Sequence, residues 1–106
     1  MMLLTKANKR KLPALGTTDG QGDEAVAQVK FFSIASPHRW FATEYDPETG
    51  QFFGLVTGGE VDELGYFSLE ELKSAKWHGI PAVERDRNYR PQTLAEVRKE
   101  YGREAA

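Results

Sequence analysis

The segment YDPETG, residues 45–50, constrains the fold more than any other part of the chain. It separates two runs rich in aromatic and β-branched residues, RWFATEYD and QFFGLVTG, which are typical of strands. Pro47 favours the φ of about −65° that a type I turn needs. Asp46 can accept backbone N–H bonds, and Gly50 can adopt a positive φ. The stretch therefore predicts a β-hairpin closed by a G1 bulge.

The turn also predicts which residues face each other across the hairpin, provided that both strands continue without a break. Tyr45 is expected opposite Phe52. The other expected neighbours are Thr43–Gly54 and Phe41–Val56 on the same face, and Glu44–Phe53, Ala42–Leu55 and Trp40–Thr57 on the opposite face.

Residues 25–67 contain four β-rich runs joined by short reversals, a pattern that predicts an antiparallel meander. Helix starts are indicated by Thr5 and by the capping boxes that begin at Ser68 and Thr93. We therefore predict an α+β fold: a four-stranded antiparallel meander sheet with short helices at the N-terminus, after strand four and at the C-terminus. A further short strand could form at residues 82–85.

A chain of 106 residues suits one domain. We predict a single domain over residues 1–106, with an N-terminal helix and loop (1–24), the antiparallel sheet (25–67), and helices with an extended connection (68–106). The lack of cysteine excludes disulfides and thiolate metal sites. The first residues carry too few apolar side chains for a secretory signal, and no apolar run nears the ~20 residues of a membrane span. We expect a cytoplasmic protein with no membrane partner.

Aromatic side chains are numerous for so small a sheet. They include Trp40, Phe41, Phe52, Phe53, Tyr66, Phe67 and Trp77. If helices cover only one sheet face, the other face would present an apolar patch suited to a partner or to self-association. If helices cover both faces, these side chains form the core, which is the interpretation we favour.

Three carboxylates, Glu44, Asp46 and Glu48, lie within five residues, a spacing that could serve acid–base catalysis or metal binding. The turn interpretation is favoured, because turn geometry engages Asp46 and places Glu48 at the tip. One carboxylate then remains, which is not an acid–base pair. His38 and His78 are far apart in sequence, and neither has a second ligand one helical turn away. We therefore predict no catalytic residue, no metal site and no cofactor.

Charge is distributed unevenly along the chain. Between Trp40 and Glu71 there are eight acidic residues and no lysine or arginine, whereas basic residues predominate before and after this block. The acids could simply be solvated in turns and helix starts. They could instead form an acidic face that attracts a basic protein. The candidate partner-binding residues are Glu44, Glu48, Glu60, Asp62 and Glu63.

The segment ERDRNYR, residues 84–90, interleaves arginine with tyrosine, a combination that holds phosphates and stacked bases. The alternative is an extended segment that crosses the sheet with its charges paired to neighbours. The candidate phosphate-binding residues are Arg85, Arg87, Tyr89 and Arg90. A net charge of −2 and a pI of about 5.7 disfavour a general nucleic-acid binder.

Several stretches together resemble one family of short bacterial proteins. They are LLTKANKRKLPAL, GDEAVAQVKFF, WFATEYDPETGQFFGLVTGGEVDELGYFSLEEL and GIPAVERDRNYRPQTLAEV. The family is catalogued as a domain of unknown function, and its members are common on plasmids and other mobile elements. The resemblance implies a bacterial cytoplasmic protein carried near conjugation or anti-restriction genes. It implies no catalytic residues.

The leading functional prediction is a small non-enzymatic protein-interaction module carried by a mobile element. Its acidic face would bind a basic protein partner and so counter a host defence or assist DNA transfer. The alternative is a nucleic-acid accessory protein that uses residues 85–90. A hydrolase centred on Glu44 with His38 or Arg39 ranks last.

Overall fold

The computed structural model describes residues 2–102. Residue 1 and residues 103–106 of the predicted domain lie outside the described residues. The helices are α1 (Lys6–Lys11), α2 (Leu69–Ser74) and α3 (Leu94–Tyr101), and a 3-10 turn covers Gly22–Glu24. The strands are β1 (Val26–Ala27), β2 (Val29–Ser33), β3 (Arg39–Asp46), β4 (Gln51–Thr57), β5 (Glu63–Ser68), β6 (Lys76–Trp77), β7 (Ile80–Pro81), β8 (Val83–Arg85) and β9 (Gln92–Thr93).

The main sheet has five strands in the order β5-β4-β3-β2-β8, and all its neighbouring pairs are antiparallel. Strands β2 to β5 form the predicted meander. The predicted number of strands, four, was one too low, because β8 adds to the free edge of β2 with Phe31 opposite Arg85. The sequence indicated a short strand there but not its partner. Pairing between segments about fifty residues apart depends on their tertiary approach rather than on local pattern.

The first β-rich run does not form one continuous strand. It divides at Gln28 into β1 and β2, and β1 pairs with β9 in a separate two-stranded sheet. Strand β9 leads directly into α3, and the Leu94 amide donates to the Ala25 carbonyl at 2.9 Å. The β1–β9 pair therefore determines where α3 begins on the sheet. Strands β6 and β7 form a second small antiparallel sheet.

The predicted hairpin turn between β3 and β4 is confirmed. Gly50 adopts φ 74°, and its amide donates to the Asp46 carbonyl at 2.8 Å. The Asp46 carboxylate accepts bonds from the Glu48 amide and the Thr49 hydroxyl, each at 3.0 Å. Beyond the turn, Tyr45 lies opposite Phe52 with ring centroids 4.6 Å apart, also as predicted.

The register predicted farther along this hairpin was wrong. Glu44 pairs with Phe53 as expected, but the next pair is Ala42 with Gly54, so Thr43 is an extra residue in a β-bulge. The pairs beyond the bulge are Phe41–Leu55, Trp40–Val56 and Arg39–Thr57. Gly54 permits this arrangement, because a Cβ atom there would lie 1.9 Å from the Phe41 carbonyl oxygen. The Thr43 hydroxyl stabilises the bulge by donating to the Phe53 carbonyl at 3.0 Å.

Residues of β3 that precede the bulge lie on the opposite sheet face from the one they would occupy in a regular strand. Without the bulge, Phe41 would share a face with Tyr45. In the structure Tyr45 belongs to one buried cluster and Phe41 belongs to another. The first cluster includes Leu3, Leu4, Leu12, Val29, Phe31, Phe52, Phe67, Leu72 and Val83, and the second includes Ala25, Ala27, Leu55, Leu94 and Val97. Helix α3 covers the second cluster, while the N-terminal segment and α2 cover the first.

The aromatic side chains divide between core and surface. Phe41, Phe52 and Phe67 are buried, as the core interpretation required. Tyr66 and Trp77 are 64% and 45% exposed, so that interpretation was wrong for these two. Tyr66 lies on β5 at the edge of the five-stranded sheet, and Trp77 lies on the small β6–β7 sheet.

The helix starts follow the predicted caps. The side chains of Thr5, Ser68 and Thr93 each accept a bond from the backbone amide three residues later, at 3.0–3.2 Å. In α3, Leu94 and Val97 are buried and Tyr101 packs against the same cluster, which confirms the predicted apolar stripe. Among residues 2–102, no helix is long and apolar enough to cross a membrane.

The close backbone contact at Gly54 can be tested by substitution. We expect Gly54→Ala to lower the free energy of unfolding by about 2 kcal/mol or more, because the new methyl group must displace the Phe41 backbone. Gly65→Ala is the matched control: Gly65 lies opposite Gly54 on β5, and a Cβ there meets nothing within 4 Å. Urea unfolding of both variants measures the difference. Equal losses of stability would contradict the close backbone contact.

Candidate functional site

Glu44 is an internal anchor. Its side chain is 2% exposed. Oε1 accepts a bond from the Gly16 amide at 2.9 Å, and Oε2 accepts one from the Thr18 amide at 2.6 Å. The Thr18 hydroxyl donates to the same Oε2 atom. Together with a 2.9 Å bond from the Tyr45 amide to the Pro13 carbonyl, these contacts fasten the loop of residues 13–18 to β3.

These bonds also determine the charge state of Glu44. Burial by itself raises the pKa of a carboxyl group, because it penalises the charged form. The bonds from Thr18 and Gly16 favour that form and outweigh burial, so the pKa of Glu44 lies below its ordinary value of 4.5. Glu44 is therefore a charged but inaccessible carboxylate. Its assignment to the partner-binding residues was wrong, because a partner cannot reach it.

The hydrolase hypothesis requires His38 or Arg39 beside Glu44, and the structure separates them. Arg39 begins β3 and Glu44 lies five residues farther along the strand, a span of roughly 17 Å. His38 instead stacks on Trp40, and its Nδ1 lies 2.9 Å from the Ser36 hydroxyl within a turn. Among residues 2–102, no group of three or more histidine, aspartate or glutamate side chains is arranged to hold a metal.

The remaining acids of the block from Trp40 to Glu71 do not lie together. Strands β4 and β5 pair from Gln51–Ser68 at one end to Val56–Glu63 at the other, a separation of roughly 17 Å. Exposed acids occur at both ends of this hairpin. Glu48, Glu70 and Glu71 lie at the end near α2, whereas Glu60 and Glu63 lie at the opposite end beside the half-buried Asp62. Two acidic clusters therefore flank β5.

Strand β5 joins the two clusters. It lies at the end of the five-stranded sheet, where β4 is its one paired neighbour within residues 2–102. Leu64 and Tyr66 are 45% and 64% exposed, and their spacing of two places them on the same face. The Tyr66 ring also contacts Phe53 on β4, with centroids 5.1 Å apart. We call this combination of β5 and its flanking acids, Glu60, Glu63, Glu70 and Glu71, the β5 edge.

The arginine–tyrosine segment is largely engaged in the fold. Arg85 donates to the carbonyls of Met2 and Leu3 at 2.6 and 3.1 Å, which ties the N-terminal segment to β8. The Tyr89 hydroxyl donates to the Ala27 carbonyl at 2.9 Å, and burial raises the pKa of this phenol. The half-buried Tyr89 ring also packs against Phe41, with ring centroids 6.0 Å apart. Arg87 and Arg90 are exposed, whereas Arg85 and Tyr89 bond to the backbone of other segments.

One charged cluster was not identified in the sequence. Lys30 is 7% exposed, and its ammonium lies 3.1 Å from the Asp86 carboxylate and 3.3 Å from the Tyr101 hydroxyl. The Arg39 guanidinium lies 5.1 Å from the centre of the Tyr101 ring. The position of Lys30 within a β-rich run is the only sequence signal, because its partners are more than fifty residues away. The cluster connects β2, the segment after β8 and α3.

Comparison with known proteins gives one match. The family model described as "Protein of unknown function (DUF2958)" matches residues 3–105. No curated protein and no solved structure matches the chain. The match agrees with the resemblance to an uncharacterised domain family, while the association with mobile elements stays a prediction.

The role of Glu44 can be tested by removing its charge. We expect Glu44→Gln to lower the free energy of unfolding by about 1–3 kcal/mol, because the amide nitrogen replaces one accepting oxygen and faces the donors of either residue 16 or residue 18. Glu48→Gln at the exposed hairpin tip is the control and should change stability by less than about 0.5 kcal/mol. Chemical denaturation at pH 7 provides the measurement. A loss equal to that of the control would contradict the anchoring role.

The same variant predicts a pH dependence. Because the pKa of Glu44 is lower in the folded than in the unfolded state, its stabilisation is fully present above about pH 4.5. It is lost as the pH falls through the folded-state pKa. The stability difference between the unmodified protein and Glu44→Gln should therefore be constant near neutrality and shrink below about pH 4.5. A difference that grows on acidification would contradict this account.

Proposed function

We propose that this chain, which belongs to the DUF2958 family of proteins of unknown function, is a non-enzymatic protein-interaction module whose β5 edge binds a basic, extended segment of a partner protein. One observation carries the proposal. An edge strand with exposed apolar side chains lies between two acidic clusters, and no lysine or arginine occurs from Trp40 to Glu71.

The backbone of β5 supports strand addition. An edge strand presents N–H and C=O groups that can pair with an added strand. Natural edge strands are commonly protected by lysine, proline or a bulge. Strand β5, with the sequence ELGYFS, has no lysine or proline, and its pairing with β4 runs without a bulge. It is therefore an accessible template for a partner strand.

The side chains of β5 suit a partner of definite chemistry. Leu64 and Tyr66 provide an apolar row for alternate residues of the added strand, and Tyr is favoured at interfaces. Acidic residues at both ends of this row attract lysine or arginine in the partner. A second copy of this chain fits less well, because pairing through β5 would bring its acidic ends close to acids of the first copy.

The family resemblance suggests a biological setting for this partner. A protein carried on a plasmid or another mobile element, acting in the bacterial cytoplasm, would meet basic proteins of host defence or of DNA transfer. Electrostatic attraction to such a protein would accelerate encounter and weaken as salt rises, because the Debye length falls from about 10 Å at 0.1 M salt to about 3 Å at 1 M.

The proposal can be tested with a synthetic peptide of alternating lysine and valine. We expect its titration into the isotopically labelled protein to shift the backbone amide resonances of residues 63–68 and to slow hydrogen exchange of the outward-facing amides of β5. A peptide of equal charge with proline in place of valine is the matched control, because proline prevents strand pairing. If both peptides produce the same shifts, the contact is charge attraction alone and the proposal fails.

Charge variants distinguish binding at the β5 edge from a general effect of the protein's negative charge. Glu63→Lys places a positive charge at the end of β5, and we expect it to weaken binding of the lysine–valine peptide by about tenfold. Glu24→Lys makes the same change of charge in the 3-10 turn Gly22–Glu24, which belongs to neither acidic cluster, and should have a smaller effect. Affinity is measured by calorimetry at two salt concentrations. Equal weakening by both variants would contradict binding at β5.

A further inference from the structure

An apolar cavity of about 680 Å³ lies on the side of the molecule where the N-terminal segment meets α2 and β8. Its volume falls within the range of about 300–1,000 Å³ that is typical of small-molecule sites. All but three of its lining residues are apolar. Leu3, Leu4 and Val83 belong to the buried cluster on this sheet face, and Leu69 packs against that cluster. The core of the protein therefore provides one wall of the cavity.

Two isoleucines on the cavity lining are unusually exposed. Ile34 is 39% and Ile80 is 49% accessible to solvent. The Ile34 amide donates to the Ala82 carbonyl at 2.8 Å, and Ile80 pairs with Trp77 in the β6–β7 sheet, so the backbone around both isoleucines is hydrogen-bonded. An apolar occupant of the cavity would remove both isoleucine side chains from water, which is favourable.

The three polar lining residues determine the charge that suits an occupant. They are Lys9 on α1, Lys73 on α2 and Glu84 on β8. None of the three forms an ion pair with another residue in the part of the chain that the structure describes. Two ammonium groups and one carboxylate leave a surplus of one positive charge on the lining. A single negative charge on the occupant would balance it.

We propose that this cavity binds a small amphipathic monoanion, an apolar hydrocarbon chain that ends in one carboxylate. The chain lies against Leu4, Leu69 and Val83, and the carboxylate accepts hydrogen bonds from the ammonium groups of Lys9 and Lys73. A neutral chain of the same length would leave the surplus charge unbalanced, and a cationic one would add to it. The site uses none of the β5 side chains and is independent of the proposed strand addition.

Dodecanoate, kept below its micelle-forming concentration, is a suitable probe for isothermal titration calorimetry with the full chain. We expect saturable binding of one molecule per chain, and weaker binding of 1-dodecanol and dodecylamine. Trp77 supplies a second signal, because it lies opposite Ile80 in the β6–β7 sheet, and its fluorescence emission should change on binding. The change in emission should disappear in Trp77→Phe, which retains Trp40 as its one tryptophan.

Variants of the two lysines test the charge recognition. The double variant Lys9→Met/Lys73→Met retains most of the apolar side-chain stems, and we expect it to weaken dodecanoate binding by about tenfold or more. It should leave 1-dodecanol binding nearly unchanged. Lys76→Met is the matched control, because Lys76 is an exposed lysine on β6 that does not line the cavity, and it should bind dodecanoate normally.

Three results would overturn the proposal. One is the absence of saturable dodecanoate binding to a protein whose circular dichroism shows it to be folded. Another is equal affinity for dodecanoate and 1-dodecanol, which would indicate apolar adsorption without recognition of the carboxylate. The third is equal weakening by Lys76→Met and the double variant, which would indicate a general effect of surface charge.

Discussion

The close approach of two backbones at Gly54 is the contact on which the arrangement of the sheet depends. Only a residue without a side chain can lie so near the Phe41 carbonyl, and this contact accommodates the bulge at Thr43. The bulge assigns Phe41 to the face covered by α3 and leaves Tyr45 on the face covered by α2 and the N-terminal segment. One extra residue in β3 thus places Phe41 and Tyr45, which would otherwise share a face, in different cores.

The same strand explains why the acidic block is not one surface. Glu44 alternates with Tyr45 and so faces away from the first core, where residues 16 and 18 supply donors that hold it as a buried carboxylate. Buried charges persist where hydrogen bonds replace water, as they do here. The exposed acids of this block lie at the two ends of the β4–β5 hairpin. Acids of the same block therefore have different roles: Glu44 anchors a loop and Asp46 shapes a turn, whereas Glu63 is exposed on the surface.

The two proposed sites depend on different features of the fold. The β5 edge exists because the meander ends at β5, whereas the opposite edge of the meander, β2, is covered by β8. The cavity exists because the N-terminal segment, α2 and β8 converge on the first core without filling the space between them. One surface is suited by its backbone and acidity to a basic strand. The other is suited by its apolar walls and two lysines to a small anion.

Local chemistry in the sequence was sufficient to predict the turn at residues 46–50, the helix starts at Thr5, Ser68 and Thr93, and the antiparallel meander. The turn and the helix starts each depend on residues within a few positions of one another, and the meander follows from short reversals between neighbouring β-rich runs. The bulge at Thr43, the addition of β8 to β2, the burial of Glu44 and the structural roles of Arg85 and Tyr89 were decided only by the tertiary structure. In each case the partner lies outside the local window, from ten residues away for Thr43 and Phe53 to more than eighty for Arg85 and Leu3. A carboxylate or an arginine has the same local sequence whether it faces water or a distant backbone, and only the folded chain determines which.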